Sequence, residues 1–219
     1  MRQLTSRDEA MLDWMNVVRL ADVDAIRWTL SAYQDDHDGP VSVRRANHWI
    51  ARIAELGYIG SARPVYRDRQ IVWPTHQASG RAAPRLFRQT IRHELAVAVV
   101  AARYLSAGYK WTRDRWTLSA TDHQADGVAE RGQRVDLVEV EFTSKKVARY
   151  ASIYVDHARR LSADQVSRVV YICSDSVASI VEREADKFLF RDLRHPLIVI
   201  RAFDAQGRWV GGVAKLGSS

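Results

Sequence analysis

Within residues 167–174, SRVVYICS, the run VVYIC is apolar throughout, the mark of a strand buried on both faces. Such a strand needs neighbours and covering layers, and the flanking segments can supply them. Lys145 to about Arg160 and SVASIVEREADKF (176–188) read as helices, and PLIVIRAF (196–203) as a further strand. Upstream, HQADGVAE (123–130) and QRVDLVEVEFT (133–143) read as two strands joined at Arg131-Gly132. WTLSA (116–120) reads as another strand, and WVGGVA (209–214) as an edge strand. A long amphipathic helix precedes them over 86–108, with Leu95, Val97, Val99, Val100 and Leu105 inside and Gly108 closing it. The second half is therefore expected to be an αβ domain around a central mixed sheet.

The first half has a different pattern. THQASGRAAP (75–84) is small, polar and ends in proline, so the expected boundary divides residues 1–78 from 79–219. Before it, Ser6-Arg7-Asp8-Glu9 reads as a capping box for a first helix whose apolar face is Met11, Leu12, Met15 and Val18. Asp22 caps a second helix carrying Ala25, Ile26 and Leu30. Ser42 caps a third, VRRANHWIARIAEL, and Gly57 ends it. YIGSARPVY and QIVWPT follow as two short strands. Three helices and a hairpin predict a winged helix-turn-helix. In its third helix Val43, Ala46, Ile50, Ile53 and Leu56 are expected to face the core. Arg44, Arg45, His48 and Arg52 fall on the other side, as a helix lying in a major groove requires. Arg67 and Arg69, at the hairpin tip, would reach the neighbouring backbone.

Charge agrees with an acidic partner such as double-stranded DNA. The formal net charge is +7, and 28 of the 33 basic residues are arginine. Residues 1–38 carry a net −4 and residues 39–80 a net +4, so basic character begins where the third helix does. No apolar run approaches the length of a transmembrane helix, and the N-terminus lacks the apolar stretch of a signal peptide. With one cysteine, Cys173, in a buried-type strand, a cytoplasmic location is expected.

In VDLVEVEF, Val138, Val140 and Phe142 point to one face of a strand, and Leu137, Glu139 and Glu141 to the other. Asp126, on the preceding strand, can approach the glutamates across the hairpin. Three converging carboxylates need a cation or a proton between them, and oxygen ligands suit Mg2+ or Mn2+. Lys145 could then stabilise the charge of a phosphoryl transition state. On this reading Asp126, Glu139 and Glu141 are metal ligands and, with Lys145, catalytic residues. Arg149 and Tyr150 either hold phosphate and stack a base, or pair with the glutamates and pack. Asp114 reads as a surface charge and His93 as a core histidine.

The arrangement resembles the PD-(D/E)xK nuclease fold, which is restriction-endonuclease-like. Ala125 replaces its proline, and Glu141 stands where its lysine would be. The wider stretch resembles the replication-relaxation family of actinobacterial plasmids and mobile elements. His123, Asp126, Gly127, Glu139, Glu141, Thr143, Lys145, Arg149 and Tyr150 match its pattern of H-x-P-D-G followed by E-V-E-x-T-x-K and R-Y. The resemblance implies a winged helix fused to a nuclease-like domain, in plasmid maintenance, conjugation or phage genomes.

Three functions remain open from the sequence. The chain is a DNA-binding regulator or accessory factor of replication or transfer, a metal-dependent nuclease or nickase, or a protein-interaction adaptor. A homodimer on a two-fold site would suit the first. Neither a membrane nor a small-molecule cofactor is expected.

Overall fold

The computed structural model describes residues 3–34, 39–63, 70–114, 123–163, 165–189 and 191–211. The chain divides into two compact units, Met1–Gly108 and Tyr109–Ser219. The expected boundary at 78/79 thus falls inside the first unit.

In the first unit, α1 (Ser6–Val18) starts from a cap one residue earlier than the capping pattern suggested. The Thr5 hydroxyl accepts the Asp8 N–H at 3.3 Å, and the Asp8 carboxylate accepts the Thr5 N–H at 2.8 Å. Aspartate at the third helical position does the work of the expected Glu9. This shift turns Asp8 inward. β1 (Ala21–Asp22) leads into α2 (Val23–Ala32), where the Asp22 carboxylate accepts the Ala25 N–H at 2.9 Å. α3 (Val43–Glu55) is capped by Ser42, and Gly57 follows its last turn at φ +80°, in the left-handed region. β2 (Ile59–Ala62) and β3 (Ile71–Pro74) complete an antiparallel sheet in the order β1-β3-β2.

Met11, Met15, Ile26, Leu30, Ala46, Ile50 and Ile53 are buried, as their periodicity predicts. Two positions on α3 differ. Val43, expected inside, is 51% exposed in the first turn. Trp49 is buried instead, because its indole N–H has a buried acceptor in Asp8 at 2.9 Å. After the short α4 (His76–Ser79), α5 (Ile91–Ser106) packs on α2. Arg103 of α5 donates to the Asp24 carboxylate at 2.6 Å, and the Ser106 hydroxyl donates to the Trp28 carbonyl at 3.3 Å. These bonds, with buried Ala96, Val99 and Val100, make the long helix part of the first unit.

The second unit is built on a five-stranded sheet in the order β4-β5-β6-β7-β8. β4 (Lys110–Thr112), β5 (Gly127–Arg131) and β6 (Arg134–Glu141) are antiparallel. β7 (Arg168–Ser174) and β8 (Leu197–Phe203) continue from β6 in parallel. The parallel steps are made through α6 (Val147–Ser162), and through α7 (Asp175–Phe188) followed by α8 (Arg191–Arg194). β7 is buried at every position, as its apolar run predicts. Leu137, Tyr150, Tyr154, Tyr171, Val177 and Val181 share one core, so β6, β7, α6 and α7 close on a common face.

WTLSA lies outside the described residues, and the first strand of this sheet is KWT instead. The segment 123–126 precedes β5 rather than forming part of it. The expected edge strand is a single bridge between Trp209 and Phe203, with residues beyond 211 outside the described part. Among the described residues the fold is thus mixed α+β, and no helix is long and apolar enough to cross a membrane.

Candidate functional site

The alternation of β6 holds: Glu139 lies opposite Tyr171 and Glu141 opposite Cys173 on the neighbouring strand. Both glutamates are buried. Asp126 sits just before β5. Its N–H donates to the Val138 carbonyl at 3.0 Å, and its carboxylate accepts the Val140 N–H at 2.8 Å. The backbone thereby fixes Asp126 beside the strand that carries both glutamates.

Lys145 pairs with Glu141. Burial lowers the Lys145 ammonium from its ordinary range, while the charges of Glu139 and Asp126 act in the opposite direction. The predicted lysine therefore sits in the field of all three predicted acids. The three acids nonetheless have separate partners: Asp126 a backbone amide, Glu141 the lysine, and Glu139 two imidazoles.

Those imidazoles belong to His123, in the segment before β5, and to His157, on α6. His123 Nε2 lies 2.5 Å from Glu139 Oε1, and His157 Nε2 lies 3.2 Å from the same oxygen. Arg149, which can only donate, lies 3.5 Å from His123 Nδ1. That contact places the His123 proton on Nε2, where it is donated to Glu139. His157 also donates from Nε2, and its buried Nδ1 has no hydrogen-bond partner among the described residues. Burial alone would raise the Glu139 carboxyl, but the hydrogen bonds from His123 and His157 outweigh it and hold it well below the usual carboxylate range. Burial depresses the His157 imidazole despite the pull of Glu139.

A second ring of polar contacts holds this group in place. The Asp156 carboxylate on α6 accepts the His123 N–H at 2.9 Å. Asp114 is a correction to the surface charge expected of it. It is buried, accepts the Ala125 N–H at 2.9 Å, and pairs with Arg160 of α6 at 2.7 Å. It therefore anchors the segment 123–126 to the helix. Ala125 donates this bond through its own N–H, which a proline at that position could not do.

Tyr150 takes the packing alternative. It is fully buried, stacks near Tyr154, and its hydroxyl accepts the Lys145 N–H at 3.2 Å. Arg149 is exposed. In the first unit Arg44, Arg45 and His48 are exposed on α3, while Arg52 is tied to Asp8. Arg67 and Arg69 lie outside the described residues. His93 is half-buried on α5.

His157, Asp156 and Arg160 were missed by sequence reasoning. The available signal was helical spacing: Tyr150, Tyr154, His157 and Leu161 form one buried stripe on α6, with a histidine among apolar side chains. Of the three acids expected to share an ion, Glu139 belongs to a compact group of possible ligands with two histidines. Among the described residues, the group with ligating atoms within 4.8 Å of one another is His123, Glu139 and His157, and this group could hold a metal ion.

No family model matches the chain, and no curated protein or solved structure does.

Proposed function

We propose that this is a DNA-binding protein whose first unit acts as a winged helix, laying α3 in the major groove of double-stranded DNA. The observation that carries this reading is the two-sided chemistry of α3. Ala46, Trp49, Ile50 and Ile53 are buried, and Arg44, Arg45 and His48 are exposed. Arg52 is held against Asp8 and orients the helix rather than meeting DNA. Arginines on such a face can reach guanine edges or phosphates. The order of helices and strands in the first unit supports the winged-helix reading. The resemblance to replication-relaxation proteins supports a role as regulator or accessory factor in a plasmid or phage, with the second unit a nuclease-like domain.

The test is an electrophoretic shift with duplex DNA in EDTA, comparing wild type with Arg44→Ala/Arg45→Ala. The double variant should bind at least about tenfold more weakly, given about 1–3 kcal/mol per good base contact. Equal binding by folded wild type and variant would remove α3 as the reading element.

A second reading, metal-dependent DNA cleavage by the second unit, is favoured by Lys145 lying against Glu141 in the field of Asp126 and Glu139. Supercoiled plasmid incubated with Mg2+, Mn2+ or EDTA tests it, with Asp126→Ala alongside. Nicking that needs the ion and is lost in the variant would establish it. Unchanged nicking in the variant would end it.

A further inference from the structure

We propose that His123, Glu139 and His157 form a binding site for a late first-row divalent cation, with Zn2+ the expected ion. The inference does not depend on DNA binding or on cleavage. Three different elements bring the ligands together: the segment before β5, the strand β6 and the helix α6. Their ligating atoms lie within 4.8 Å of one another, and both imidazoles already aim Nε2 at the same carboxylate oxygen.

The donor set selects the ion. Two imidazoles and one carboxylate suit Zn2+ and its neighbours, whereas Mg2+ takes oxygen ligands and sheds water reluctantly. Zn2+ is held by two histidines and a glutamate in known tetrahedral sites, with the fourth position left for water or a ligand. Ligands about 2.0–2.1 Å from a tetrahedral ion stand about 3.3 Å apart. The His157–Glu139 separation of 3.2 Å already matches. The His123–Glu139 separation of 2.5 Å must open by somewhat under ~1 Å, as an ion replaces the shared proton.

Proton bookkeeping also allows it. Each histidine would bind through Nε2 and carry its proton on Nδ1. Nδ1 of His157 has no hydrogen-bond partner among the described residues, so moving the proton there breaks no bond seen among them. Among the described residues, Nδ1 of His123 meets the long contact to Arg149, whose side chain is exposed and can turn into water. The bonds that the His123 and Ala125 N–H groups donate to Asp156 and Asp114 keep the segment bearing His123 in place throughout.

The experiment uses the full chain, stripped with EDTA and dialysed. Zn2+ is titrated in by calorimetry, and Co2+ is titrated while its visible absorption is followed. The expected result is one ion per chain, with the intense visible bands of tetrahedral Co2+. His123→Ala, at the edge of the group, should weaken binding at least about a hundredfold, since even lost supporting contacts around a metal cost 10–100-fold. His157→Gln should do the same, with circular dichroism checking that both variants stay folded. No saturable uptake of one equivalent by wild type would overturn the proposal, leaving a hydrogen-bonded trio. Binding equally tight in folded His123→Ala would overturn it too, by placing the ion elsewhere. A DNA shift on the same samples reads the α3 proposal separately, because neither histidine lies on α3.

Discussion

Asp8 accepts hydrogen bonds from its own cap, Thr5, and from Trp49 and Arg52 on α3. Burial would raise its carboxyl, but Arg52, Thr5 and Trp49 together hold it at about 2, below its ordinary 3.8. The folded state thus favours the charged form. The resulting stability is fully present above about pH 4 and is lost as pH falls through about 2. Asp8→Asn should cost about 3 kcal/mol at neutral pH, the scale of breaking one side of a buried pair. Urea melts across pH 2–6 should show that difference shrinking as the wild type is protonated; a constant difference would assign the cost to packing. Gly127 makes a steric prediction. A Cβ there would stand 2.1 Å from the Trp111 ring, so Gly127→Ala should destabilise the second unit by about 1–3 kcal/mol. Chemical denaturation followed by circular dichroism reads it, and an unchanged midpoint would deny the close approach. At this scale the sequence was legible where a residue's role is local. The inward face of Glu139 and Glu141 follows from alternation alone. The histidines around Glu139 did not, since His157 is 18 residues away on another element and only folding makes them neighbours.

α1 ends on Arg19, the one non-glycine residue with positive φ among the described residues, at φ +74°. Its N–H still bonds the Met15 carbonyl at 2.7 Å, so the cap works while the backbone is strained. Arg19→Gly should relieve about 1 kcal/mol, and a thermal melt should rise by a few degrees; a fall would mean that the arginine side chain contributes more than the strain costs. The helices α2, α3, α6 and α7 and the strands β6, β7 and β8 were readable from periodicity and caps. The elements that escaped were short or displaced. β1 is two residues long, too few for any periodicity to show. The cap of α1 moved by one residue because Asp8 could serve both the helix end and a distant tryptophan, a bond no local pattern encodes.

The division of the chain was the least legible feature, because composition marks a loop and not a packing boundary. The polar stretch 75–84 is a connection within the first unit, since α5 buries Ala96, Val99 and Val100 and sends Arg103 to Asp24. A fragment ending at residue 108 should therefore unfold cooperatively in urea, and one ending at residue 78 should show no such transition. A cooperative transition in the shorter fragment would restore the earlier boundary. Whether α3 meets DNA can be read from the salt dependence of binding. Fluorescence anisotropy of the full chain on labelled duplex, repeated across salt concentrations, yields the slope of log K against log salt. The wild type should show a steep negative slope. If Arg44 and Arg45 each neutralise a phosphate, the double alanine variant should be shallower by about 2. No binding near physiological salt, or identical slopes for the two proteins, would contradict that contact.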